Sequence, residues 1–216
     1  MEFLSRQDAG RKLAAYLQDE HVQADWVLGL PRGGVVVAVE VARGLNLPLD
    51  IITVRKIGHP HHREFAVGAL AEPGVVILDY PAIERTYVLQ EELDEVIAEE
   101  KERLREYQLK FERQAPPGLE DKIALIVDDG IATGLTTEAA VLSARKRNAR
   151  QVLVATPVSS DSAYDRLSSV ADRVFAMLVD PTFDAVGRYY RNFAQTTDGE
   201  VLELLNANPK RELGKS

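Results

Sequence analysis

The chain has 216 residues and a formal charge of −8, with 26 Lys and Arg against 34 Asp and Glu. That length supports one good core, and the sign of the charge excludes a broad nucleic-acid surface. No cysteine is present, which excludes a disulfide framework and thiolate chemistry and fits a reducing cytosol.

The opening MEFLSRQDAG has no apolar signal core, and no run approaches the ~18 apolar residues of a membrane span. A soluble, cytoplasmic protein is expected, with residues 1–216 forming a single α/β domain. Ser5, with Asp8 three residues on and Leu13, Ala14, Tyr16 and Leu17 beyond, predicts a capped amphipathic helix ending near Asp19 with a packing role. Residues 26–30 read as a short strand that Pro31-Arg32-Gly33-Gly34 breaks before a helical run over 35–45. Two glycines at such a turn let backbone N–H groups approach an anion, and Arg32 adds a charge that suits phosphate.

Residues 49–54 predict a second short strand, running directly into RKIGHPHHRE, where seven of ten residues are Arg, Lys, His or Glu. The HPHH within it invites a metal reading. With no Cys and no separate His-x-x-His pair, a solvated, partly protonated loop is expected instead. FAVGAL alternates weakly as a strand, and a Pro-Gly turn leads to another over 75–78.

Residues 88–111 lack Gly and Pro, and Leu89, Leu93, Val96, Leu104, Tyr107 and Phe111 recur at helical spacing, with Glu100 the one break in the stripe. A helix of about 36 Å follows. Its charged face is read as solvated, and its stripe also suits helix-on-helix pairing in a dimer. Ala115-Pro116-Pro117-Gly118 ends it, so 80–118 is expected to be a helical insert outside the core sheet. Further on, 151–157 and 173–179 are predicted strands around a capped helix over 160–167. Residues 183–193 gather four aromatic side chains, Thr197 with Glu200 caps a last short helix, and 208–216 is expected to be a disordered tail.

The stretch over 123–137, IALIVDDGIATGLTT, organises the rest. Its apolar opening reads as a strand buried on both faces of a parallel sheet. Asp128 and Asp129 follow, then a loop of small and hydroxylated residues, and from Glu138 the pattern turns helical. Ligands bind at the carboxyl ends of such strands, where a helix N-terminus offers free N–H groups to a phosphate. Two carboxylates would repel that phosphate; they suit neighbouring hydroxyls or a metal ion. Phosphate plus vicinal hydroxyls describes a ribose 5-phosphate. The loop lacks the Gly-Lys-Ser/Thr ending of a P-loop and has no GxGxxG, which weakens ATPase and dinucleotide readings.

VDDGIATGLT resembles the phosphoribosyl diphosphate (PRPP) motif of the type I phosphoribosyltransferases. The resemblance implies that Asp128 and Asp129 hold the ribose hydroxyls, and that Ala132, Thr133, Gly134, Leu135 and Thr136 wrap the 5′-phosphate. LPRGGV sits where that family has its pyrophosphate loop, which assigns Arg32 and Gly33 to the diphosphate and implies a cis peptide at Pro31–Arg32. VRK resembles the start of the mobile catalytic loop of the adenine and orotate enzymes, so Arg55 and Lys56 are implied catalytic residues on a segment, 55–64, expected to close over the diphosphate. Phe183, ahead of a Val-Gly dipeptide like that of the hypoxanthine-guanine enzymes, is implied to stack on the acceptor in a C-terminal hood.

The arrangement is most similar to phosphoribosyltransferases of unassigned acceptor, which share LPRGGV, VRK and VDDGIATG. The implied fold is a mostly parallel sheet flanked by helices. The implied activity is Mg²⁺-dependent transfer of ribose 5-phosphate from PRPP to a nitrogen acceptor by a cytoplasmic homodimer, the metal held indirectly by Asp128 and Asp129 through ribose hydroxyls or water. A non-catalytic PRPP- or nucleotide-binding regulator is the alternative, favoured by an appended DNA-binding unit and a basic face, neither of which the sequence displays. Where 6-oxopurine enzymes have an aspartate as proposed base, this chain has Ala132, which cannot take a proton. Glu64 or a loop histidine is the expected substitute, and hypoxanthine and guanine are expected to be poor acceptors.

Overall fold

A computed structural model describes residues 2–111 and 118–208. Its core is a five-stranded parallel sheet made of β1 (Trp26–Gly29), β2 (Leu49–Ile51), β6 (Ile123–Val127), β7 (Gln151–Ser160) and β8 (Arg173–Asp180), in the order β2-β1-β6-β7-β8. Side chains alternate across these strands. Val27, Leu125, Val127, Leu153 and Ala155 face α1 (Arg6–Asp19), α2 (Gly33–Leu45) and α7 (Asp198–Ala207). Leu28, Ala124, Ile126, Val152 and Val154 face α5 (Leu135–Lys146) and α6 (Asp161–Ser168). Burial on both faces is why β6 and residues 152–155 of β7 read as unbroken apolar runs.

The sequence predicted one strand over 49–54 and a charged loop after it. The structure divides that stretch between two sheets. After β2 the chain enters β3 (Val54–His59), turns, and returns as β4 (His62–Ala71), which pairs with β5 (Val75–Leu78); the three form a separate antiparallel sheet. The expected loop over 55–64 is therefore mostly hairpin. Its apolar anchor is Ile57, wholly buried among Val67, Leu70, Leu93 and Leu104. Its charges are taken up by α4 (Gln90–Phe111), which follows the short α3 (Tyr80–Arg85). Leu93, Val96 and Leu104 of the α4 stripe are buried against this sheet and Phe111 against the main core, while Leu89, just ahead of the helix, is exposed. The other face of the second sheet rests on Leu135 and Ala139 of α5. The Pro-Pro stop after α4 and most of the expected tail lie outside the described residues. Among the described residues no helix is long and apolar enough to cross a membrane.

Caps fall where the sequence placed them. The side chains of Ser5, Ser160 and Thr197 accept from the backbone N–H groups of Asp8, Ala163 and Glu200.

Candidate active site

At the carboxyl end of β6, Asp128 and Asp129 stand between the starts of α2 and α5. The Asp129 N–H donates to Asp128 Oδ1 at 2.9 Å. Burial first, and the neighbouring Asp129 charge second, push the Asp128 carboxyl well above the ordinary carboxylate range. Asp129 has a counter-charge that the sequence reading missed: Arg6 Nε donates to its Oδ2 at 2.6 Å, with the two side chains 11% and 14% exposed. Arg6 also donates to the Ala194 carbonyl at 2.7 Å and covers the Phe193 ring at 3.8 Å. The first helix, expected only to pack, thus delivers a site residue. The Tyr190 hydroxyl donates to the Asp129 carbonyl at 2.5 Å, and burial together with the Asp129 charge keeps that phenol protonated by raising its pKa.

The Pro31–Arg32 peptide is cis, as the resemblance implied. Gly33, first residue of α2, lies so close to Asp129 that a Cβ there would fall on the carboxylate, which accounts for a glycine at this turn. Arg32 Nη1 lies 3.8 Å from Asp198 Oδ1 at the start of α7, and Lys110 pairs with the other oxygen.

Beyond the acidic pair the loop is pinned to the end of β7. Ile131 N–H donates to Val158 O at 2.9 Å, Ser160 N–H to Ile131 O at 2.9 Å, and Ser160 Oγ to Ala132 O at 2.6 Å. Ala132 and Thr133 are exposed, and Gly134, with φ +77°, turns the chain into α5. The first turn of α5, Leu135 and Thr136 included, therefore presents N–H groups without helical partners, together with the positive end of the helix dipole. Arg166 stands alongside, bound to Glu138 at 3.0 Å and Asp79 at 3.1 Å.

A cavity of 460 Å³ opens beside the pair, lined among others by Pro31, Arg55, Lys56, Arg63, Glu64, Arg103, Asp128 and Thr136. A second, of 610 Å³, shares Pro31, Val54, Arg55 and Arg103 with it and adds Arg32, Tyr107, Lys110 and Asp198. Burial, then the Asp198 charge, push the Tyr107 phenol up to about 12. Of the residues singled out from the sequence, Arg55, Lys56, Asp128 and Thr136 meet at the first cavity, and Arg32 joins Arg55 at the second. Lys56 pairs with Glu64 at 3.3 Å. Arg55 is held from α4, where Glu100 Oε2 accepts its Nη2 at 2.8 Å. Glu100 is buried; the break in the stripe was the signal that it has a partner.

Phe183 lines neither cavity. Its ring stacks on Tyr189, with centroids 5.4 Å apart and planes 24° from parallel. The same segment reaches the acidic loop through Val186, which packs directly on Gly130. The histidine run is not a solvated loop throughout: His59 is buried, and its Nδ1 accepts from His61 N–H at 3.1 Å. His61 Nε2 lies 3.1 Å from Glu92 of α4. Among the described residues no cluster of three or more His, Cys, Asp or Glu is placed to hold a metal ion.

The chain is 43% identical over 210 residues to "Putative phosphoribosyl transferase Rv0571c" of Mycobacterium tuberculosis (strain ATCC 25618 / H37Rv), an alignment covering 94% of this chain and 46% of that protein. It thus spans about half the length of that relative. The crystal structure of TT1426 from Thermus thermophilus is similar at a TM-score of 0.78 and 40% identity, covering 96% of this chain and 99% of that one. AQ2163 protein from Aquifex aeolicus, 13% identical with a TM-score of 0.50 over 81% of this chain and 74% of that one, shares the fold. Residues 3–191 match the sequence model of the phosphoribosyl transferase domain, and with that match the chain belongs to the type I phosphoribosyltransferase family.

Proposed function

We propose that the chain transfers ribose 5-phosphate from PRPP to a nitrogen acceptor, releasing pyrophosphate. The observation that carries this reading is the acidic pair placed between a helix N-terminal loop and a cavity walled by Arg55, Lys56 and Arg103. Asp128 and Asp129 accept from the ribose 2′- and 3′-hydroxyls, and the loop over 132–136 takes the 5′-phosphate through its N–H groups. The acceptor nitrogen forms a bond to C1 as the bond from C1 to the diphosphate oxygen breaks. The electron pair leaves with the diphosphate, whose charge Arg32, Gly33 N–H, Arg55 and Lys56 neutralise. The proton that the acceptor loses goes to Glu64, the hairpin carboxylate lining the same cavity. Phe183, stacked on Tyr189, offers the acceptor a flat apolar face.

Mg²⁺ fits the residues present. The donor set is two hard carboxylates, one oxygen of which Arg6 already occupies, and such a set suits a metal that keeps its waters and arrives with substrate phosphates. Asp128 and Asp129 would hold it indirectly, through ribose hydroxyls or water. When bound it supplies positive charge to the diphosphate.

Pyrophosphate release, followed with PRPP, Mg²⁺ and a panel of purines, pyrimidines and simple amines, tests the proposal. Turnover of at least one nitrogen acceptor is expected, with hypoxanthine and guanine poor because Ala132 offers them no base. Silence across the panel despite tight PRPP binding would point instead to a binding protein, and efficient use of hypoxanthine would overturn the acceptor reading.

A further inference from the structure

The hairpin and α4 are joined by one continuous chain of ion pairs. Glu100 Oε2 accepts Arg55 Nε and Nη2 at 2.9 and 2.8 Å, and Glu100 Oε1 accepts Arg103 Nη1 at 2.7 Å. Arg103 Nη2 then meets Glu99 at 2.5 Å, and Glu99 meets Arg63 of β4 at 3.0 Å. Glu100 sits in the apolar stripe of α4 with its side chain 7% exposed. Stability alone does not account for a carboxylate there, because a packed apolar residue at such a place is commonly neutral or stabilising.

The cavities give it a use. Each of the two is lined by both Arg55 and Arg103, and each is also lined by Pro31. The first is also lined by Asp128, so a diphosphate leaving C1 of a ribose held there lies within reach of both guanidinium groups. Glu100 binds Arg55 along one edge of the guanidinium, leaving Nη1 to point elsewhere. Arg103 gives one N–H of Nη1 to Glu100 and one of Nη2 to Glu99, which leaves three of its five N–H donors. A carboxylate fixed between two arginines sets the direction of the donors each has left, at little further loss of side-chain freedom.

We propose that Arg103 of α4 is an additional diphosphate-binding residue, and that Glu100 is a positioning residue that aims Arg55 and Arg103 into the anion site. The inference rests on the phosphoribosyl transfer reading and assigns part of the leaving-group site to the helix that follows the second sheet.

The test is calorimetric titration of the full chain, with Mg²⁺, by PRPP, by inorganic pyrophosphate and by ribose 5-phosphate, for wild type, Arg103→Ala, Glu100→Gln and Arg105→Ala. Arg105 lies on the same helix, 70% exposed and paired with Glu102, so its variant removes the same charge away from the cavities. Arg103→Ala and Glu100→Gln should each weaken pyrophosphate binding about tenfold or more, the worth of one charge-assisted hydrogen bond, with ribose 5-phosphate affinity unchanged. Arg105→Ala should bind all three ligands as wild type does. Equal loss of both ligands in Glu100→Gln would make it a general structural residue and overturn its positioning role. Wild-type pyrophosphate affinity in Arg103→Ala, with PRPP still bound by wild type, overturns the inference and leaves the transferase reading in place. A wild-type chain that does not bind PRPP overturns both.

Discussion

Arg6→Ala removes the counter-charge of Asp129 and leaves its carboxylate without a cationic partner at 2.6 Å. The Arg6 and Asp129 side chains are 11% and 14% exposed and meet at 2.6 Å, so solvent screens them little. A charge-assisted hydrogen bond in such a place is worth about 1.5–3 kcal/mol, and stranding a shielded carboxylate costs about 3–5 kcal/mol. The guanidinium over Phe193 adds about 0.5–1 kcal/mol. Because Asp129 retains some exposure, a loss of about 3–4 kcal/mol is expected at pH 7, a fall in Tm of about 6–16 °C at about 2–4 °C per kcal/mol for a chain of this size. Thermal unfolding at pH 7 of Arg6→Ala, Asp129→Asn and the double variant measures this. Once the carboxylate is an amide it no longer needs the guanidinium, so the double variant should recover about 2 kcal/mol relative to additivity. An Arg6→Ala Tm within about 2 °C of wild type, or a double variant whose loss equals the sum of the two single losses, would refute the reasoning.

Two other variants probe the same loop. Asp128→Asn should stabilise the free chain by about 1 kcal/mol at pH 7, since it removes a charge that burial and Asp129 disfavour. A raised carboxyl means that wild-type stability rises as pH falls from the folded pKa towards the unfolded one, so the advantage of the variant should fade over that window; a variant less stable than wild type at pH 7 contradicts this. Gly134→Ala, forced to keep φ +77°, should cost about 1–2 kcal/mol in chemical denaturation and weaken ribose 5-phosphate binding. Unchanged stability would mean that the turn into α5 relaxes freely.

The parallel sheet was legible because strands buried on both faces must be apolar through their length, as 123–127 and 152–155 are. The acidic pair and its loop were legible for a related reason: a strand that ends in carboxylates and small residues before a helix leaves few uses for them. The second sheet was not. Seven of the ten residues over 55–64 are Arg, Lys, His or Glu, and sequence reading treats such a run as solvated. In the fold, Glu92, Glu99 and Glu100 of α4 meet His61, Arg63 and Arg55, while Ile57 supplies the buried apolar anchor. The partner of Asp129 was hidden by distance, since Arg6 lies 123 positions away and nothing in its own helix distinguishes it from a surface arginine. Glu100 was the exception, a charge interrupting an apolar stripe, and such a break is worth reading as a buried pair.

In the proposed reaction Asp128 and Asp129 hold the ribose of PRPP. Calorimetric titration of PRPP with Mg²⁺ into wild type and into the Asp128→Asn/Asp129→Asn double variant tests it most directly. Each lost charge-assisted hydrogen bond is worth about 1.5–3 kcal/mol, so wild type should bind PRPP and the double variant should bind it at least a hundredfold more weakly. Equal affinity in the two would contradict the assignment of the pair.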